Sequence, residues 1–202
     1  MATRGEAAAH TPPTRLRADA RRNRERVLEA ADEVFSETGP TASTEEVARR
    51  AGVAIGTVFR HFPTKELLIE AVVVGRLTQL TVEAEQLGEA ADADAAFVSF
   101  FHRWVELSAT KHQFSAALAR SGTDVQDVKD TNPEVVERLY DAIGGLLRRA
   151  QRADRIRQDL TVPDVVALMG GASWAHEQAG PDPERRARLL SVAISGLRPS
   201  GP

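Results

Sequence analysis

Two short helix-forming segments flank a glycine between Ser43 and His61, and their spacing restricts the fold more than any other feature of the chain. Ser43 and Glu46 stand at the positions of a capping box, in which the serine oxygen and the glutamate carboxylate satisfy the orphan amides of a new helix. Val47, Ala48 and Ala51 then share one apolar face, and Gly52 suits the positive φ that ends a helix. A second segment follows at about 54–61. The small Ala48 lets the two helices approach, and Val53 and Val58 fill the angle between them. The spacing is that of a helix-turn-helix. Its second helix would present Ile55, Gly56, Thr57, Arg60 and His61 outward, with its N-terminal end suited to the major groove. A helical hairpin inside any bundle can share this spacing, so the pattern alone leaves a structural role open.

Helical periodicity runs through the rest of the chain. Val27, Ala31, Val34 and Phe35 share a face of a helix expected at about 18–38, stopped by Gly39-Pro40. Thr64 reads as the N-cap of a long helix from Lys65 to about Leu87. Phe97, Phe100, Phe101 and Trp104 stripe a helix over 92–110, and another is expected around 112–121. SGTDVQDVKDTNP reads as a loop. An amphipathic helix follows at 133–153. Thr161, Pro163 and Asp164 start one that runs to about 178, and a last helix is expected at about 183–197. No strand pattern, repeat or heptad run emerges. The expected class is all-α with about nine helices.

The chain of 202 residues has a net charge of −3, but residues 1–26 hold seven Arg against three acids. This asymmetry fits either a polyanion partner or a solvated basic tail. The absence of Cys excludes disulfides, Cys-ligated zinc and a Cys nucleophile. No apolar run approaches the ~18 residues of a membrane span, and the start lacks a secretory core, so a cytoplasmic protein is expected. GASWA at 171–175 faintly resembles a nucleophile elbow but sits in a helical pattern without the required strand. His102 and Glu106, four apart, more simply form a surface pair than a metal site. No enzyme activity, cofactor or metal is expected.

STEEVARRAGVAIGTVFRHFPTKELLIEAV, residues 43–72, resembles the DNA-binding segment of the TetR/AcrR family of bacterial transcriptional regulators. The similarity extends back through RRNRERVLEAADEVFSETG, residues 21–39. The remainder agrees only in helical character and length. The resemblance implies a helix-turn-helix domain at 18–64 and an effector-binding and dimerisation domain at 65–202, while the Ala-, Thr-, Pro- and Arg-rich composition of the start reads as a basic arm without fixed structure at 1–17; the resemblance carries residue roles as well. It implies that Thr44 and His61 bond phosphates, and that Ile55, Gly56 and Thr57 lie at the groove floor or on the DNA backbone. Arg60 is the candidate for base readout, or for a phosphate contact alone. Lys65, beside the free amides of the next helix, would clamp a phosphate, or be a solvated first-turn residue. Many relatives carry Tyr at the position of Phe59, whose ring lacks that hydroxyl and would meet a sugar edge or join the core. Phe62 is expected in the core with Phe35 and Val58. The Arg15–Arg26 segment would supplement DNA binding electrostatically.

The resemblance also implies a two-fold dimer on a palindromic operator. Its interface would come from the nearly all-round apolar VVALMGGASWAHEQ and the last helix, with Met169, Gly170, Ser173, Leu190 and Ile194 as candidate contacts; an intrachain core is the alternative. A small-molecule pocket would draw on Phe101, Trp104, His112, Phe114, Tyr140 and Trp174, with His102 and His176 as polar handles, although each is also a plausible structural residue. The expected function is a homodimeric repressor released from its operator by an effector, with the 65–87 helix as lever. An activator, or a helical binding module that ignores DNA, is the alternative.

Overall fold

The computed structural model describes residues 13–108, 114, 117–119 and 125–199. Nine helices are described: α1 (Pro13–Thr38), α2 (Thr44–Ala51), α3 (Ile55–His61), α4 (Lys65–Gly88), α5 (Ala93–Ser108), α6 (Val125–Thr131), α7 (Pro133–Arg152), α8 (Val162–Gln178) and α9 (Pro183–Ser195). The described residues contain no strand, and the fold is all-α. The chain divides into two compact units, Met1–Leu68 and Ile69–Pro202.

In the first unit α1 packs on α2 and α3. Val27, Ala30, Ala31, Val34 and Phe35 are buried on one stripe of α1, against Val47, Ala48, Ala51, Val58 and Phe62. The helix starts at Pro13 rather than at about 18, a first-turn position where proline costs no hydrogen bond. The capping box of α2 is half made. Ser43 Oγ accepts from the Glu46 amide at 3.2 Å, but the Glu46 carboxylate is taken by Arg49. Gly52 ends α2 at φ 64°. Its amide donates to the Arg49 carbonyl, and the Val53 amide to that of Ala48, a Schellman-type closure that only a residue without a Cβ adopts cheaply.

In the second unit α5 packs on α7 and α8, and α8 packs on α9. Phe97, Phe100 and Phe101 are fully buried; at about 1.5–3 kcal/mol for each such burial, their role is core. α8 begins with a complete capping box: Thr161 Oγ1 accepts from the Asp164 amide, and Asp164 accepts from the Thr161 amide. Asp182 caps α9 through the amides of Glu184 and Arg185. Arg149 donates to the carbonyls of Leu87, Gly88 and Ala90, satisfying the C-terminal end of α4.

One expectation is corrected here. The polar stretch expected as a loop contains α6. Its Val128 is buried, and its packing on α7 supplies stabilisation that periodicity within seven residues does not reveal. Met169, Ser173, Leu190 and Ile194, the candidate dimer contacts, are buried within the single chain. Gly170, between them, is half-buried. The helix expected around 112–121 lies largely outside the described residues.

Candidate functional site

α3 carries its two faces clearly. Val58 turns inward and is fully buried, while Ile55, Gly56, Phe59 and Arg60 are exposed. Phe59 is 43% exposed, so it is not a core residue. A Cβ added at Gly56 would meet nothing within 4 Å. The fold therefore does not require glycine there, although glycine inside a helix costs roughly 0.5–1 kcal/mol relative to alanine. Thr57 and His61 are half-buried beside this face. α3 contains no acid, and Arg60 and His61 occupy its last turn. Arg60 makes no ion pair with another described residue. Thr44, half-buried, opens α2, and Lys65, also half-buried, opens α4. Thr64 caps α4 by accepting from the Leu67 amide at 3.3 Å.

The arginines of α1 and α2 hold this unit together. Arg26 donates to the carbonyls of Ala51 at 2.5 Å and Gly52 at 3.4 Å. Arg24 lies 5.1 Å above the Phe62 ring, a cation–π contact. Arg50 joins α2 to α1 through Glu33 at 3.2 Å and Glu37 at 2.8 Å. Its hydrogen bond holds the Glu37 carboxyl below the usual range and pushes the guanidinium up. Arg24 and Arg26, expected as electrostatic supplements for DNA, thus have structural contacts. Arg15 is among the residues whose side chains are not described.

The second unit contains a small apolar cleft of about 80 Å³. Trp104 and Phe114, two of the candidate effector residues, line it. Phe101 does not, being fully buried in the core. Tyr140 and the 55% exposed Trp174 lie away from its lining, and His112 is outside the described residues. The remaining wall comes from Val73, Leu77 and Leu80 of α4, Leu107 and Ser108 of α5, and two cations, Arg76 and Lys129. The cations were not expected from the sequence. A signal existed, because Val73, Arg76, Leu77 and Leu80 stand at i, i+3, i+4 and i+7.

On α8 and α9 the apolar surface left outside differs from the expected one. Leu168 and Trp174 of α8 and the 70% exposed Val192 of α9 face outward, with Gly171 and Ser191 also exposed. Trp174 therefore sits on an outer surface, not in the cleft. His176 Nδ1 and Arg186 Nε are buried without a described hydrogen-bond partner. Burial, then the Arg186 charge, push the His176 imidazole below its ordinary value, with Glu106 opposing. His102 and Glu106 are both exposed. GASWA lies within α8, where Ser173 Oγ donates to the Met169 carbonyl at 2.8 Å. No nucleophile elbow is built there.

Residues 27–72 match the family model for bacterial regulatory proteins of the tetR family, and residues 92–199 match that for the C-terminal domain of SbtR-like transcriptional regulators. The crystal structure of a TetR transcription regulatory protein from Mycobacterium vanbaalenii is similar at 35% identity and TM-score 0.71, over 91% of this chain and 99% of that one. The TetR transcriptional regulator SCO0520 from Streptomyces coelicolor is similar at 30% identity and TM-score 0.70, over 88% and 99%. The HTH-type transcriptional regulator SrpR of Pseudomonas putida is 26% identical over 184 residues, which is 89% of this chain and 85% of that protein. These relatives are transcriptional regulators, not enzymes.

Proposed function

Because the chain belongs to the TetR family of DNA-binding transcriptional regulators, we propose that it is a homodimeric repressor of a palindromic operator, released by a small molecule bound in the cleft of its second unit. The observation that carries the DNA part is the outer face of α3. It is acid-free, it includes an aromatic ring at 43% exposure, and its one glycine answers no internal demand. On this reading Ile55, Gly56 and Thr57 approach the groove floor and backbone, Phe59 packs on a sugar edge, and Arg60 reads a base. A guanidinium paired with guanine O6 and N7 discriminates by about 1–3 kcal/mol. Thr44, His61 and Lys65 hold phosphates, which set register rather than sequence.

One reading head covers one half-site, so a two-fold dimer is the natural unit. We assign its interface to the outward residues Leu168, Gly171, Trp174 and Val192 rather than to the buried set expected from the sequence. The cytoplasm, where the chromosome lies, is its place of action. α4 begins at Lys65 and lines the cleft with Val73, Arg76, Leu77 and Leu80. A ligand that favours one placement of this helix shifts DNA affinity only by its differential affinity for the two states.

A reporter under the protein's own promoter tests the repressor assignment. Deleting the gene should raise expression, and restoring it should lower expression. A fall on deletion would indicate an activator. Retention of DNA binding by the protein after both Arg60 and Lys65 are replaced by Ala would favour a helical module whose helix-turn-helix is only structural.

A further inference from the structure

We infer that Ile55 and Phe59 together form an apolar reader of thymine methyl groups, so that each half-site carries A·T pairs beside the base met by Arg60; this rests on the reading of α3 as the DNA-facing helix. Among the described residues of the first unit three large apolar side chains are exposed, Ile55, Phe59 and Leu67. The first two stand at i and i+4, on one side of α3. The interior does not need them, because Val58 and Phe62 turn inward and are buried. Gly56 follows Ile55, is exposed, and sets no side chain in the way of a close approach. The helix that carries the pair contains no acid, so nothing on it repels a duplex.

Chemistry decides what this pair can read. An aliphatic chain and a phenyl ring neither donate nor accept a hydrogen bond. A phosphate oxygen, or a polar base edge, brought against them would lose water and gain no partner. In the major groove the base edges offer one apolar group, the C5 methyl of thymine. C5 lies nearer to the sugar of its own strand than O4 does, so a ring packed on a sugar edge also meets the methyl. A hydroxyl on that ring would favour a phosphate oxygen, and Phe59 has none. Four residues of helix rise about 6 Å and stacked bases about 3.4 Å, so the pair spans roughly two base-pair steps. Arg60, the next residue and also exposed, supplies the hydrogen-bonding part of the same readout.

The test starts from a pool of random DNA duplexes, from which the full-length protein selects its site. In the selected site each thymine is replaced in turn by deoxyuridine, which removes the methyl and keeps the base pair. Affinity should fall about fourfold at one or two thymines of each half-site, the worth of one buried methyl group at each. Phe59→Ala and Ile55→Ala, both at exposed positions, are titrated on the same duplexes, with thermal melting as the check of folding. The readout is the ratio of thymine to uracil affinity, which a general loss of binding does not move. Each penalty should vanish in at least one of the two variants. Selected half-sites without thymine, or uracil tolerated at every position, mean that the pair meets only sugar or protein. Penalties that persist in both variants mean that other residues touch the methyls. Any of these results overturns the inference and leaves a sequence-reading regulator standing. Enrichment of no discrete site overturns the inference together with the regulator reading beneath it.

Discussion

The Arg26 guanidinium of α1 donates to the Ala51 carbonyl, the last residue of α2, at 2.5 Å. The same nitrogen lies 2.9 Å from where a Gly52 Cβ would stand. A cation thus sits on the C-terminal end of α2, where the helix dipole favours it, and supports the turn that aims α3. Arg26→Met should cost about 1 kcal/mol of stability, the net worth of a partly exposed hydrogen bond, and should weaken DNA binding through misaim of α3. Denaturant unfolding and a binding titration measure both. Wild-type stability and affinity in the variant would show that the contact is idle.

Gly56 separates the needs of the fold from those of a partner. Gly56→Ala should raise stability by about 0.5–1 kcal/mol, since the added methyl meets open space and restricts the unfolded chain. The same methyl should lower operator affinity by crowding the DNA surface. A variant that is more stable and binds as well as wild type would remove Gly56 from the interface.

Arg60 and Lys65 should fail differently. Arg60→Ala should lower affinity most for the true operator and relax preference at one position of each half-site, at about 1–3 kcal/mol. Lys65→Ala should weaken binding to all sequences and reduce the dependence of log affinity on log salt by about 1 for each phosphate no longer neutralised. Titrations at several salt concentrations on operator and scrambled duplexes distinguish the two, and identical patterns would argue against separate roles.

The outer and inner faces of α8 and α9 predict opposite phenotypes. Trp174→Glu should leave the fold largely intact and shift the protein to monomer in sedimentation velocity. Leu190→Ala should instead destabilise the fold by about 2–5 kcal/mol, as for other buried truncations. A Trp174→Glu protein that remains dimeric would move the interface elsewhere.

His176 gives a pH dependence with a definite sign. Burial, with Arg186 nearby, holds its folded value below the ordinary imidazole range, so the unfolded chain takes up the proton more readily. Its contribution is full above the ordinary imidazole value and is lost as pH falls through the folded value. The melting temperature should therefore fall between about pH 7 and pH 5, and less so in His176→Gln. The carboxylate of Glu37, held low by Arg50, loses its contribution only on further acidification. Equal slopes for wild type and His176→Gln would discount the imidazole.

What is legible in the sequence follows the range of the forces involved. Ser43, Gly52 and Thr64 act over three or four residues, so their caps and turn can be read directly. The buried stripe of α1 is a periodic signal of the same kind. α6 escapes such a reading because it depends on Val128 docking against a helix that the sequence places elsewhere. The packing of α8 escapes it because an all-round apolar helix does not say which face meets its own core: Met169 turns inward and Trp174 outward. Phe59 is ambiguous between core and surface until the fold shows Val58 and Phe62 filling the interior. Arg76 and Lys129 lie on different helices, and only the fold unites them.

Footprinting of the DNA upstream of the gene, with wild-type protein and Arg60→Ala side by side, tests the reading of α3 most directly. The wild type should protect one discrete palindrome with half-sites one helical turn or a multiple apart, and Arg60→Ala should lose that protection at equal concentration. Uniform coverage without a boundary, or the same footprint from both proteins, would contradict sequence readout by this helix.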